Sequence, residues 1–255
     1  MSKKATSNKL LSIISVGINY REIIDTFNSI NFLINEDWIE YIIVSPNINT
    51  LKNILVNNKI IYKCDLSNGC YFAMNQGIKI ATGKYIWFLN SGDYAKKFNE
   101  DFLIILKEWL SKNNKLLFFD QKLFKLNILT SKINLKNNRL FKIFFSSLIM
   151  PISHQNILIP RICQKEFNTK LKYNADFEIL NRIIEDENIK IKFINLKLAI
   201  LTPGGISDKY RFEVIIERFK IMFNKKQIYR KLYSILSLIF RVIYLIFTNI
   251  IKFLI

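Results

Sequence analysis

Cysteine, histidine, proline and glycine are all scarce in this sequence, and so is negative charge. Its three cysteines, Cys64, Cys70 and Cys163, are an odd number without CxxC spacing, so neither a disulfide framework nor a cysteine zinc site is expected. A reducing compartment follows from that. His154 is the only histidine, which rules out a multi-histidine metal centre. With 4 prolines and 7 glycines in 255 residues, the chain is not a low-complexity or collagen-like polymer. No repeat of 20 to 50 residues stands out, and the basic start "MSKKATSNKLLSIISV" has too short an apolar run for a signal peptide. Only 20 acids stand against 38 Lys and Arg, a formal charge of +18.

What is abundant is apolar, at 50% of residues, enough to bury a full core. The positive charge is uneven: residues 111 to 150 hold eight Lys/Arg against Asp120 alone, and residues 206 to 255 hold ten against Asp208, Glu213 and Glu217. Such a field attracts nucleic acid, anionic lipid or phosphorylated substrates. A bias of the whole composition toward Lys, Asn and Ile is the plainer source of part of it.

Strands and helices alternate along the first half. Leu11 to Val16 reads as a buried strand, and "YREIIDTFNSINFLI" as a helix with Ile23, Ile24, Phe27, Ile30 and Ile34 on one face. "IEYIIVS" is a second strand, Asn49 a cap for a short helix through Val56, and "KIIYK" a third strand. Asn68 or Gly69 opens a helix that Gly83 closes, before a strand Tyr85 to Leu89. Gly77, inside that helix, calls for a packing reason. Asn99 begins "EDFLIILKEWL", and "KLLFF" is a further strand; periodicity then weakens over 121 to 140, where a substrate-facing insertion or lid is expected. "NADFEILNRIIEDEN" is an amphipathic helix, and short strands near Ile191 to Ile194 and Leu198 to Leu201 lead into "TPGGIS". Continuous apolar strands alternating with helices predict a mostly parallel α/β sheet with helices on both faces, and ligands beyond the carboxyl ends of the strands.

The tail, 229 to 255, differs in kind. On a helical wheel of about 100° per residue, Lys231, Ser234, Ser237, Arg241, Thr248, Asn249 and Lys252 share one sector of roughly 120°, and the remaining face is apolar. That suits an amphipathic helix lying in a membrane interface. A spanning helix is the alternative, although Arg241 near its middle would cost roughly 2.5 to 3.5 kcal/mol; packing on the protein's own core is another. The expected organisation is a domain over 1–207, a helical linker over 208–228 and the membrane-associated helix over 229–255.

Four blocks in order carry a family resemblance: "LSIISVGINYREIIDTFNSI", "NGCYFAMNQGIKIATGKYIWFLNSGD", "PISHQNILIPR" with "YNADFEILNRI", and "GGIS". The chain resembles the inverting glycosyltransferases of family 2, which have the GT-A fold and build bacterial surface polysaccharides of the colanic-acid, O-antigen and exopolysaccharide type. The resemblance implies sugar transfer from a nucleotide-diphosphate donor to a hydroxyl of a glycan or lipid-linked acceptor. It implies a divalent cation, Mg²⁺ or Mn²⁺, held by Asp93, hard oxygen ligands being what such ions prefer. Asp176 matches the general base, with Ser15, Asn19, Asn75, Asn90 and His154 as donor-binding residues. Each has a plainer reading: Asp93 as a solvated turn, Asp176 as a first-turn acid favoured by the helix dipole, His154 as structural.

The chain also departs from the family. "VSPNINT" stands where relatives carry an acid-rich turn after the second strand, Phe72 replaces an aspartate, and the acid ahead of Gly69 is either lost at Ser67 or displaced to Asp65. The expected setting is peripheral, at the cytoplasmic face of the inner membrane and against anionic lipid, with no nucleic acid bound. A non-catalytic GT-A-like docking or assembly subunit with a degenerate donor site is the alternative function.

Overall fold

The computed structural model describes residues 9–65, 69–119, 153–186 and 188–224, together with Ile235 and Ile239. The basic stretch expected to form a lid, and the tail expected to form a membrane helix apart from Ile235 and Ile239, lie outside the described residues. Among those residues, no helix is long and apolar enough to cross a membrane.

Strands β1 (Leu11–Val16), β2 (Ile39–Ser45) and β3 (Ile60–Cys64) alternate with helices α1 (Tyr20–Ile34), α2 (Ile48–Ile54) and α3 (Cys70–Ile80). Then follow β4 (Tyr85–Phe88), β5 (Tyr94–Ala95), α4 (Glu100–Lys112), β6 (Leu116–Phe119), a 3-10 turn (His154–Asn156), β7 (Ile157–Pro160) and α5 (Ala175–Ile184). Strands β8 (Ile191–Ile194) and β9 (Ala199–Ile200) and helices α6 (Ile206–Lys209) and α7 (Arg211–Phe223) complete it. A seven-stranded sheet runs β3-β2-β1-β4-β7-β6-β8, and β5 pairs β9 in a small second ribbon. Within the seven-stranded sheet only β7 is antiparallel to its neighbours, and the β5–β9 ribbon is antiparallel.

Because strand side chains alternate in direction, two cores form, one on each face. Ile13, Tyr41 and Trp87 pack with α1, α2 and α4; Ile14, Ile42, Ile86 and Phe88 pack with α3 and α5. Covering both faces is what the unbroken apolar strands demand. Helix α1 has the expected limits, while α3 stops at Ile80 rather than running to Gly83, because Ala81 is already extended. Gly77 gains its packing reason: a Cβ there would stand 2.6 Å from Ile14 Cγ2, so α3 lies against β1 only without a side chain.

Two pairings place the site. Reversal of β7 against β4 (Ile86 opposite Ile159) sets the turn before β7 beside the tip after β4. The ribbon, Tyr94 opposite Ile200, brings the residues after β9 to the same tip.

Candidate active site

The tip after β4 is a tight turn, Asn90 to Asp93, closed by the Asp93 amide on the Asn90 carbonyl at 3.1 Å. Gly92 takes φ +86, a left-handed conformation that favours glycine. Thr26 of α1 clamps the turn, its Oγ1 donating to the Asp93 carbonyl (2.9 Å) and accepting from the Gly92 amide (3.0 Å). The Asp93 side chain turns inward, with the residue 8% exposed. Its Oδ2 accepts from Gln155 Nε2 at 2.7 Å and its Oδ1 from the Thr202 amide at 3.1 Å. Thr202 Oγ1 also donates to the Gly92 carbonyl. The solvated-turn reading of Asp93 is therefore overturned. Burial raises its pKa, with the Thr202 and Gln155 hydrogen bonds opposing.

Asp176 sits in the first turn of α5, on the opposite face of the sheet from α1. Oδ1 accepts from Tyr71 Oη (3.3 Å) and from the Phe177 amide (2.8 Å), and Oδ2 lies 3.0 Å from His154 Nδ1. A carboxylate offers about four lone-pair sites. Three partners leave room for one more donor, such as an acceptor hydroxyl. Burial pushes the Asp176 pKa up, but His154, Arg218 and the Phe177 amide outweigh it and hold the carboxyl below its ordinary range. It stands ready as an anion. First-turn placement and the role of a partly buried, paired carboxylate thus coexist.

An ionised carboxylate only accepts, so His154 Nδ1 carries a proton. In the neutral ring Nε2 is then an acceptor, and Asn90 Nδ2 donates to it across 3.1 Å. This orientation leaves Asn90 Oδ1 buried without a partner. A continuous chain results: Asn90, His154, Asp176, Tyr71. The neighbouring Gln155 reaches Asp93, so one dipeptide joins the two carboxylates, and Trp87 Nε1 anchors that dipeptide by the Gln155 carbonyl at 2.7 Å.

The other residues expected to bind the donor make internal bonds. Ser15 is fully buried, with Oγ donating to the Leu89 carbonyl at 2.5 Å. It supports the root of the tip. Asn75 clamps Phe167 reciprocally, through Nδ2 to the carbonyl at 2.9 Å and Oδ1 from the amide at 2.7 Å. Asn19 caps α1, Oδ1 accepting from the Arg21 amide at 3.1 Å and Nδ2 donating to Glu22 at 3.1 Å. Of the five, the structure brings Asn90 and His154 to the two carboxylates.

After β2, Ser45 Oγ takes the Asn47 amide and Asn47 Nδ2 donates to the Ile18 carbonyl, which ties the first two loops together. Asp65 follows β3, 5% exposed, with Oδ1 unpartnered. It is the acid available on an edge that lacks one after β2. Sequence reasoning missed Tyr71, Gln155, Thr202 and Arg218 as site residues. Gln155 could have been read from its place beside His154; the other three are brought in by strand pairing and helix docking alone.

Oxygen ligands for a cation exist here in small number: the Asp93 carboxylate and the orphaned Asn90 Oδ1. Among the described residues, no group of three His, Cys, Asp or Glu is placed to hold a metal. This fits Mg²⁺ or Mn²⁺ bound mainly through substrate phosphates and water, with one or two protein ligands.

No protein-family model matches the chain, and no curated protein matches it in sequence. Solved structures match it in fold. TarS residues 1–349 of S. aureus in complex with UDP-GlcNAc aligns at TM-score 0.57 and 17% identity over 90% of this chain and 70% of that one. The mannosyltransferase PcManGT of Pyrobaculum calidifontis, in complex with GDP-Man and Mn²⁺, aligns at TM-score 0.57 and 11% identity over 92% and 76%. The fold of this chain is the mixed α/β, mostly parallel GT-A fold of those glycosyltransferases.

Proposed function

We propose that the protein is an inverting glycosyltransferase that moves a sugar from a nucleotide-diphosphate donor to a hydroxyl of a surface-polysaccharide acceptor. The observation that carries this reading is the His154-Gln155 dipeptide, which holds a partly buried, anionic Asp176 and the tip carboxylate Asp93 in one hydrogen-bonded unit at the carboxyl edge of the sheet.

In this mechanism Asp176 accepts the proton of the acceptor hydroxyl as that oxygen bonds to the anomeric carbon. The bond from that carbon to the diphosphate breaks on the opposite face, and the nucleoside diphosphate leaves. His154 and Tyr71 orient the Asp176 carboxylate, and His154, Arg218 and the Phe177 amide keep it ionised. Asp93, with Asn90 Oδ1, would hold a divalent cation, which when bound supplies positive charge against the leaving diphosphate. Gln155 and the Thr202 amide fix Asp93 for that task.

The membrane setting is part of the proposal. Ile200, Leu201, Ile206, Tyr210 and Phe212 are exposed apolar side chains on β9 and the segment that follows it, where Arg211 is paired with Asp208. An apolar surface of this kind suits the interface of a bilayer carrying a lipid-linked acceptor. In this reading the protein is peripheral, on the cytoplasmic face of the inner membrane.

Isothermal titration of the full chain against a panel of nucleotide sugars, with Mn²⁺ present, tests the reading. Saturable binding of one donor is expected, followed by transfer or slow donor hydrolysis. The internal bonds of Ser15, Asn19 and Asn75 favour a second reading, a GT-A-like docking subunit that binds no donor. A flat titration across the whole panel would decide for it.

A further inference from the structure

Helix α5 carries the carboxylate read above as the base, and the way its entry is held is unusual. Asn174 occupies the N-cap position but makes no side-chain cap, although the first turn of a helix leaves amide donors to be satisfied. The chain leading into that turn is held from α7 instead. Glu217 Oε1 accepts from the Lys172 amide at 2.8 Å, and Oε2 accepts from the amides of Tyr173 and Asn174, each at 2.8 Å. Three successive backbone N–H groups thus converge on one carboxylate, in charge-assisted bonds stronger than neutral ones.

Asn174 itself is fully buried and gripped at both ends of its amide. Its Nδ2 donates to the Val214 carbonyl at 3.0 Å and to Glu217 Oε2 at 3.1 Å, while Oδ1 accepts from Arg218 Nε at 2.6 Å. The Arg218 guanidinium lies over the Phe177 ring, 5.2 Å from its centroid. Residues on both sides of Asp176 are therefore held by a helix 43 residues downstream in the chain, as counted from Asn174 to Glu217.

We propose that Glu217 is the positioning residue of the base, acting through the backbone of residues 172 to 174, with Arg218 securing the same turn, so that α7 belongs to the catalytic unit. The inference rests on the reading of Asp176 as that base. Glu217 touches no substrate in this scheme. Its effect is on where the Asp176 carboxylate points, and a displacement of about 1 Å at such a group costs up to roughly 100-fold in rate.

The test uses the full chain with Glu217→Gln, Glu217→Asp and Arg218→Lys. The glutamine presents an N–H where three donors converge. Its kcat for transfer or donor hydrolysis is expected to fall about 10- to 100-fold, with the donor KM and calorimetric donor affinity within about twofold. Glu217→Asp keeps the charge and recovers part of the loss. Arg218→Lys loses the planar Nε–H bond and shifts kcat in the same direction. A kcat equal to wild type in Glu217→Gln overturns the proposal, as does a loss confined to KM. Amide hydrogen exchange over residues 173–177 gives a readout independent of turnover. Faster exchange there in Glu217→Gln, without faster exchange in β1 or β4, is expected. Unchanged exchange refutes the positioning role. A wild-type chain that binds no nucleotide sugar, with the faster local exchange still seen in Glu217→Gln, would instead sink the glycosyltransferase reading and leave the role of α7 intact.

Discussion

The two sides of the candidate site are built differently. On the base side, Asp176, His154 and Tyr71 satisfy one another with partners drawn from α3, the turn before β7 and α5, and α7 braces the whole from behind. On the donor side, the loops after β1 and β2 are tied by the Asn47 bond to the Ile18 carbonyl, and two buried oxygens, Asp65 Oδ1 and Asn90 Oδ1, have no partner. No such orphan falls on Tyr71, His154 or Asp176. Since an unpaired buried polar group costs roughly 1–3 kcal/mol, the base side reads as preassembled, and the donor side as completed by what binds. The carboxylates differ accordingly: that of Asp93 is pushed up by burial, whereas that of Asp176 is held down by its partners.

Breaking the preassembled side has the largest expected effect. Asp176→Asn removes the proton acceptor, and transfer falls about 10²- to 10⁴-fold. The pKa of Asp176 is lowered in the fold, so its stabilising contribution is present above the unfolded carboxylate value of about 3.9 and is lost as pH falls through the folded value. The melting temperature of the asparagine variant should thus lie below that of wild type at neutral pH, and the gap should close on acidification. Retained turnover would remove Asp176 from the mechanism. Asp93→Asn comes next, with transfer down roughly 10²- to 10³-fold and the opposite stability signature. A raised pKa means that its contribution to folding is present when it is protonated and is lost as pH rises through the folded value. Thermal denaturation of Asp93→Asn should therefore gain on wild type from acid to neutral pH, since Gln155 can turn its amide to donate or accept. A variant less stable at neutral pH than at acid pH, relative to wild type, contradicts that sign.

How legible these sides were in the sequence follows from the same contrast. The limits of Leu11–Val16 and Tyr20–Ile34 came from periodicity and caps, because these elements depend on local pattern, whereas the short helix expected to start at an Asn49 cap and run through Val56 is Ile48–Ile54 with Asn47 at its N-cap position. The end of α3 was misplaced at Gly83: that glycine serves a close approach, in which a Cβ would meet Ser12 N at 2.6 Å, and not a helix stop. Asp93 and Asp176 stand out as acids at a strand end and a helix start. Their partners do not, since Thr202 arrives through a ribbon of two residue pairs and Tyr71 through a pairing 105 residues apart in sequence. Glu217 looks like any solvated helical acid until α7 is docked. Asn75 and Ser15, read as donor contacts from their motifs, hold backbone carbonyls and amides of Phe167 and Leu89.

The donor side is sharpened by Asp65. If its orphaned oxygen is completed by a nucleoside, through a base N–H or a ribose hydroxyl, then Asp65→Ala should weaken nucleotide binding about tenfold or somewhat more, the worth of a hydrogen bond to a charged acceptor. Inorganic pyrophosphate, which lacks the nucleoside, should bind both proteins equally in the same calorimeter. Equal nucleotide affinity would show that the missing acid after β2 has no replacement at the end of β3.

The smallest expected effect separates scaffold from ligand contact within the donor side itself. Asn19 bonds the Arg21 amide as the cap of α1 and reaches Glu22 through Nδ2. Removing a cap of this kind costs about 0.5–2 kcal/mol. Asn19→Ala should therefore lower the unfolding free energy by that amount in urea melts with the slope unchanged, and leave donor affinity alone. Asn19→Ser should keep most of the stability, because a hydroxyl at the N-cap also accepts from the first-turn amides. A fall in donor affinity in Asn19→Ala without the loss of stability would reverse the assignment. It would make the loop after β1 part of the donor contact, and the contrast between a preassembled base side and a donor side completed on binding would then extend to α1.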